Sequence, residues 1–239
     1  MTAGRAALTL FAATAILLGL APPAAHAQGA ARGEPMLRRW CPVIGIAGAW
    51  LGPQDLGRVD AVTRRVSVGA ATPAPFTLFT TESTLGGSGG GEVTLTVPVS
   101  ARWAVAVRGA AARPTLTTAI SADAEGAPNL EATETVSDYA VEVAVLYQLP
   151  RGGGRRARPY VTAGGGYLRQ LHEDNALVET GRTWHGGAGL RYWLRGGEDR
   201  TRPIGLTGEL RWVWRTDAIA FTDGARAAPA AALGVFVGF

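Results

Sequence analysis

Tyr139-Ala140-Val141-Glu142-Val143-Ala144-Val145-Leu146-Tyr147-Gln148 is the stretch from which the architecture follows. Taken by twos, one face reads Tyr139, Val141, Val143, Val145, Tyr147, and the other Ala140, Glu142, Ala144, Leu146, Gln148. A period of two belongs to a β-strand, because successive side chains leave the backbone on opposite sides. The same pattern recurs on both sides of this stretch. Trp103, Val105, Val107 and Gly109 oppose Ala104, Ala106, Arg108 and Ala110; Leu210, Trp212 and Trp214 oppose Glu209, Arg211, Val213 and Arg215. Trp184, Gly186, Ala188, Leu190 and Tyr192 oppose His185, Gly187, Gly189, Arg191 and Trp193.

Eight strands are expected: Cys41–Gly52, Gly91–Ser100, Arg102–Thr115, Thr133–Leu149, Arg158–Leu171, Gly181–Leu194, Pro203–Arg215 and Ala228–Phe239. The first and fifth hold too many small residues for their faces to be assigned. Connections through Ala101, from Pro150 to Ala157 and from Arg195 to Arg202 are tight or rich in glycine and arginine. Those from Pro53 to Gly90, Leu116 to Ala132, His172 to Thr180 and Thr216 to Ala227 are generally longer. Short turns at one end and longer loops at the other are the arrangement of an up-and-down barrel in an outer membrane. Such alternation suits two barrels: a soluble one with the apolar face inward, like a lipocalin, or a membrane one with that face toward lipid. Aromatic residues at both ends of an apolar face favour the membrane, where amphipathic rings sit at the two interfaces.

The chain's first residues point the same way. Arg5 precedes an apolar run from Leu8 to Leu20, then Pro22, Pro23 and the triplet Ala25-His26-Ala27. A charged start, an apolar core and a small-x-small site make a secretory signal peptide, expected over residues 1–27 and cleaved before Gln28. A short leader, 28–40, then leads into a barrel domain over 41–239. The last strand places Leu233, Val235, Val237 and Phe239 on one face. An apolar edge strand ending in phenylalanine resembles the signal read by the outer-membrane assembly machinery. Together with Pro98-Val99-Ser100-Ala101-Arg102-Trp103-Ala104-Val105 and Arg158-Pro159-Tyr160-Val161-Thr162-Ala163-Gly164-Gly165-Gly166-Tyr167, it makes the chain resemble a known family. That family is the small eight-stranded outer-membrane barrels, the OmpA/OmpX/OmpW-like outer membrane protein β-barrel domain. The resemblance covers roughly Cys41 to Phe239 and implies an all-β, eight-stranded antiparallel transmembrane β-barrel in the bacterial outer membrane. No peptidoglycan-binding domain is expected after the barrel, a departure from the OmpA proteins themselves.

The formal net charge is +4, and every basic side chain is an arginine. A basic chain invites a nucleic-acid partner, but the arginines form no single run and export argues against one. Cys41 is the only cysteine, so no internal disulfide is expected. Expected partners are outer-membrane lipid and lipopolysaccharide and the assembly machinery, with the barrel itself a monomer.

The alternation puts Glu92, Arg108, Glu142, Arg191, Glu209 and Arg211 inside. Both signs are present, so they make either a plug of ion pairs or a narrow selective water path. Acidic residues cluster in the longer connections (Asp123, Glu125, Glu131, Glu173, Asp174, Glu179, Asp217, Asp223), where they either solubilise loops or hold divalent cations. Arg151, Arg155 and Arg156 occupy one short turn. Catalysis is weakly supported: past the signal peptide only His172 and His185 remain, and neither has a neighbouring serine to activate. His185 reads as a lumen or interface histidine. Gly86-Gly87-Ser88-Gly89-Gly90-Gly91 lacks the lysine and helix of a phosphate loop and reads as a flexible linker. No cofactor or metal is expected. The non-enzymatic barrel, structural, adhesive or narrowly permeable, stands beside two alternatives: a lipid A-modifying barrel enzyme and an exported soluble binder of an apolar ligand.

Overall fold

The alternating stretch forms one wall of a closed barrel. A computed structural model describes residues 42–65, 74–150, 156–173, 177–195, 203–219 and 224–239. The expected signal peptide, leader and Cys41 lie outside the described residues, as do Arg151, Arg155, Asp174 and Asp223. Twelve strands follow in chain order. They are β1 (Val43–Leu51), β2 (Gln54–Arg65), β3 (Ala74–Leu85), β4 (Ser88–Pro98), β5 (Trp103–Ala112) and β6 (Thr115–Ser121), then β7 (Leu130–Thr135), β8 (Ser137–Gln148), β9 (Ala157–Leu171), β10 (Val178–Arg195), β11 (Ile204–Thr216) and β12 (Arg226–Gly238).

Eight of them close the barrel in the order β1-β12-β11-β10-β9-β8-β5-β4, every pair antiparallel. A walk along paired residues runs Arg169, Tyr139, Ala111, Gly91, Gly48, Leu233, Gly208, Leu190 and returns to Pro159, ten residues below its start. Eight strands with a stagger of ten tilt by roughly 40° and enclose a lumen that side chains can fill.

Three strands had no counterpart in the sequence reading, and a fourth, β7, was expected only as the opening of the strand Thr133–Leu149. The expected loops Pro53 to Gly90 and Leu116 to Ala132 hold β2, β3 and β6, which with β7 form a four-stranded sheet in the order β2-β3-β6-β7. These are barrel strands carried past the rim. The β1–β4 ladder continues into β2–β3 in the same register, and β5–β8 into β6–β7. The β4–β5 ladder passes into β3–β6 with a one-residue slip. Proline marks the rim: Pro53 and Pro114 lack the N–H a ladder needs, although Val136 still donates to the Pro114 carbonyl (2.9 Å). Leu56, Leu85, Leu116, Val136 and Ile219 form an apolar cluster where barrel gives way to sheet. Sequence alternation missed these strands because threonine, serine and charge interrupt their apolar residues, so neither face is uniformly apolar.

The glycine run also differs from expectation. Ser88 to Gly91 open β4, with Gly90 paired to both Ala49 and Ala112. A side chain on Gly90 would meet the Ala111 carbonyl oxygen, so glycine here permits close strand approach rather than flexibility.

Candidate functional site

The lumen holds charge because the alternation leaves it no choice. A strand that gives its apolar side to lipid must turn its polar side inward, and buried charges need partners. Glu92 on β4, Arg108 on β5, Glu142 on β8, Arg191 on β10, and Glu209 and Arg211 on β11 all project inward.

Four of them close a ring of alternating sign across the lumen. Arg108 Nη2 lies 2.8 Å from Glu209 Oε1, and Arg108 Nε lies 3.6 Å from Glu92 Oε1. Arg211 Nη2 lies 2.7 Å from Glu92 Oε2, and Arg211 Nε lies 3.6 Å from Glu209 Oε1. Glu142 joins through Arg108 Nη1 at 3.5 Å. Arg108 therefore faces three carboxylates while remaining almost wholly buried. Arg191 stands apart. It donates to Thr96 Oγ1 (3.0 Å), lies over the Tyr160 and Phe236 rings, and has no carboxylate within 4.0 Å among the described residues.

Three members were not named from the sequence as parts of a network. His185 Nδ1 lies 3.1 Å from Glu142 Oε2, Thr183 Oγ1 donates to Glu142 Oε1 (3.0 Å), and Tyr160 OH donates to Glu209 Oε2 (2.7 Å). Nearer the sheet end, Arg215 Nη1 meets Asp138 Oδ2 at 2.7 Å. Gln170 donates to Asp138 Oδ1 (2.6 Å) and accepts from the Ile219 amide (3.1 Å). Counting by twos from Glu142 reaches Asp138, so that signal was present; Tyr160 lay on a strand whose faces could not be assigned. Removing the Tyr160 hydroxyl with Tyr160→Phe takes a buried hydrogen bond from a carboxylate. It is expected to lower the unfolding free energy by about 1.5–3 kcal/mol in urea titration.

Small residues stand beside these long side chains on the inner face: Ala47 pairs with Glu92, Gly187 with Arg211, and Ala106, Ala144, Gly164 and Gly234 also face inward. Beside Arg191, Tyr160 and Phe236 lies a cavity of about 30 Å³, room for about two water molecules.

The described histidines engage carboxylates rather than hydroxyls. His172 Nδ1 lies 2.7 Å from Glu134 Oε1, whose same oxygen accepts from the Glu173 amide. Among the described residues no three His, Cys, Asp or Glu side chains come together as a metal-binding group.

The outer surface completes the picture. Ile44, Ile46, Val93, Leu95, Val141, Val143, Val145, Leu210, Leu233 and Val235 are exposed, and all lie on the face opposite the charges. Trp103 and Tyr147 meet at a tilt at the turn end of the wall (4.8 Å between ring centroids), while Trp50, Tyr139, Tyr167 and Trp184 stand outward toward the sheet end. A soluble binder of apolar ligands requires the reverse, so that alternative fails on the direction of the valines. The fold is that of the small outer-membrane β-barrels.

No family model and no curated protein matches the chain. Among solved structures it is similar to the outer membrane protein OprG from Pseudomonas aeruginosa, at 13% identity and a TM-score of 0.48, over 84% of this chain and 96% of that one. Ail, the attachment invasion locus protein of Yersinia pestis, in complex with the heparin analogue sucrose octasulfate, aligns at 11% identity and a TM-score of 0.42, over 84% and 99% of the two chains. A second structure of Ail gives 12% identity and a TM-score of 0.38, with coverage of 84% and 99%. Within the barrel, Leu233, Val235, Val237 and Phe239, singled out from the sequence, lie on the outer side of the β1–β12 seam, where Val235 pairs with Ile46 and Val237 with Ile44.

Proposed function

We propose that this barrel is a non-enzymatic outer-membrane protein, exported by its N-terminal signal, with a sealed lumen and a structural or adhesive role carried by the sheet beyond the rim. The short-turn end then faces the periplasm and the sheet end faces outward, as in other barrels of this architecture. The observation that carries the sealed reading is the ring of Arg108, Glu92, Arg211 and Glu209, which ties β4, β5 and β11 together across the lumen. An ion entering there has to displace ion pairs that are already buried and closed on one another. Support for the adhesive role comes from Val59, Val62, Phe76, Leu78 and Leu130, exposed on the sheet, where water rather than lipid surrounds them.

Reconstitution in planar bilayers tests the seal. The expected result at neutral pH is no steady conductance, and reproducible long-lived channels sink the sealed reading in favour of a narrow pore. A lipid A-modifying activity is opposed by the engagement of both described histidines with carboxylates, since a nucleophile has to sit within hydrogen-bond reach of its base. The variants His172→Ala and His185→Ala are expected to leave the mass spectrum of lipid A unchanged in the producing cell.

A further inference from the structure

Not every arginine of the barrel points inward. Arg113, just past the end of β5, Arg169 on β9 and Arg182 on β10 are exposed on the outer face, in step with Val107, Tyr167 and Trp184. Arg169 pairs with Tyr139 and Thr180, and Arg182 pairs with Tyr167. The two arginines are thus diagonal neighbours on the outside of one strand pair. Arg113 lies on the far side of β8, two strand spacings from β9, or roughly 10 Å. Because paired residues climb ten positions over eight strands, Arg182 comes level with Arg169, and Arg113 comes level from the other flank.

At about this height the other side of the barrel presents Trp214, Pro229, Trp50 and Gly89 outward, so the positive charge is one-sided. Immediately toward the turn end stand Tyr139, Tyr167 and Trp184, each exposed. Rings of this kind settle at the membrane boundary, which puts the arginines at the level of lipid headgroups. An outward charge is costly at the midplane and nearly free at the interface. None of the three has an ion-pair or hydrogen-bond partner among the described residues, whereas Arg102 at the turn end donates to Tyr147 OH (3.4 Å).

Three unpaired guanidinium groups at headgroup height over neighbouring strands match an anionic headgroup that carries more than one phosphate on a rigid frame. Planar guanidinium forks bind phosphate oxygens two at a time. We propose that Arg113, Arg169 and Arg182 form a docking site for the phosphorylated disaccharide of lipopolysaccharide in the outer leaflet. The assignment rests on the reading above that the sheet end faces away from the periplasm. A one-sided site makes the annular lipid asymmetric: one glycolipid is held against β5, β8, β9 and β10 while the opposite wall contacts lipid only through apolar and aromatic groups.

The full-length barrel folded in detergent is the material for the test, with native mass spectrometry counting bound diphosphoryl lipid A. The wild type is expected to retain one molecule per barrel and to bind the enzymatically dephosphorylated form far more weakly. The triple variant R113Q/R169Q/R182Q is expected to lose affinity for the diphosphoryl form on the order of a hundredfold, while keeping heat-modifiable gel migration. The variant R102Q is expected to bind as the wild type does. Unchanged binding by a folded triple variant overturns the site, as does equal loss of affinity for phosphatidylglycerol, which assigns the arginines to anionic lipid in general. A wild-type chain that shows no heat-modifiable form in detergent strikes at the barrel reading itself, a result distinct from a folded barrel without the site.

Discussion

Arg108→Ala is expected to destabilise the barrel by about 3–5 kcal/mol, the range for breaking a buried ion pair from one side. The guanidinium reaches Glu209 at 2.8 Å, Glu142 at 3.5 Å and Glu92 at 3.6 Å, and all three carboxylates are buried. Arg211 still holds Glu92 and Glu209 in the variant, but Glu142 keeps only His185 and Thr183. Removing the guanidinium therefore costs more than the contacts it made, because it strands negative charge where water is scarce. Urea unfolding of the barrel in phospholipid vesicles, followed by tryptophan fluorescence, measures the loss. Equal stability of variant and wild type at neutral pH contradicts a central role for Arg108. The variant R108A/E142Q is expected to recover part of the loss, since it removes the carboxylate that is left with the fewest partners.

Why Arg108 meets Glu209 was beyond the sequence, although each residue's side of its strand was not. Glu142 sits between Val141 and Val143, so its direction follows from local alternation alone. Arg108 and Glu209, 101 residues apart on strands across the lumen, meet only because the closed barrel has a particular stagger. Stagger is a property of the whole circuit and leaves no mark on any one strand. The same limit separated Arg191 from the ring, since Tyr160 and Phe236 reach its guanidinium from β9 and β12. The clearest alternation came from β5, β8 and β11, where lipid and lumen impose the sharpest contrast. It faded on β1 and in the middle of β9, where Gly45, Ala47, Gly164 and Gly166 face inward and long side chains from elsewhere fill the space. Beyond the rim, threonine, serine and charge interrupt both faces, so β2, β3, β6 and β7 lost the apolar half of the signal.

Those small inward positions lead to the second large effect, in which one kind of substitution has opposite consequences on the two faces of the wall. Gly166 lies on the inner side of β9, paired with Glu142 and Thr183. A Cβ there would strike the Val141 carbonyl oxygen and come within 2.6 Å of the Glu142 Cα, both backbone atoms that cannot turn aside. Gly109 lies on the outer side of β5, between Val93 and Val141, and a Cβ there meets nothing within 4 Å. Gly166→Val is expected to cost about 3 kcal/mol or more, at or above the top of the usual range for overpacking, and to push Glu142 away from Arg108. Gly109→Val is expected to be neutral or stabilising by up to ~1 kcal/mol, because valine favours the strand and its side chain enters lipid. Heat-modifiable gel migration and urea midpoints of the two variants, prepared identically, make the comparison. If Gly109→Val proves the more damaging, the outer and inner faces have been assigned the wrong way round, and the charged ring does not lie in the lumen. If both are neutral, β8 and β9 are not as close as the register requires. The expected ordering, severe inside and harmless outside, depends only on which side of the strand each glycine occupies, and that is the feature separating a barrel filled with its own charges from one filled with oil.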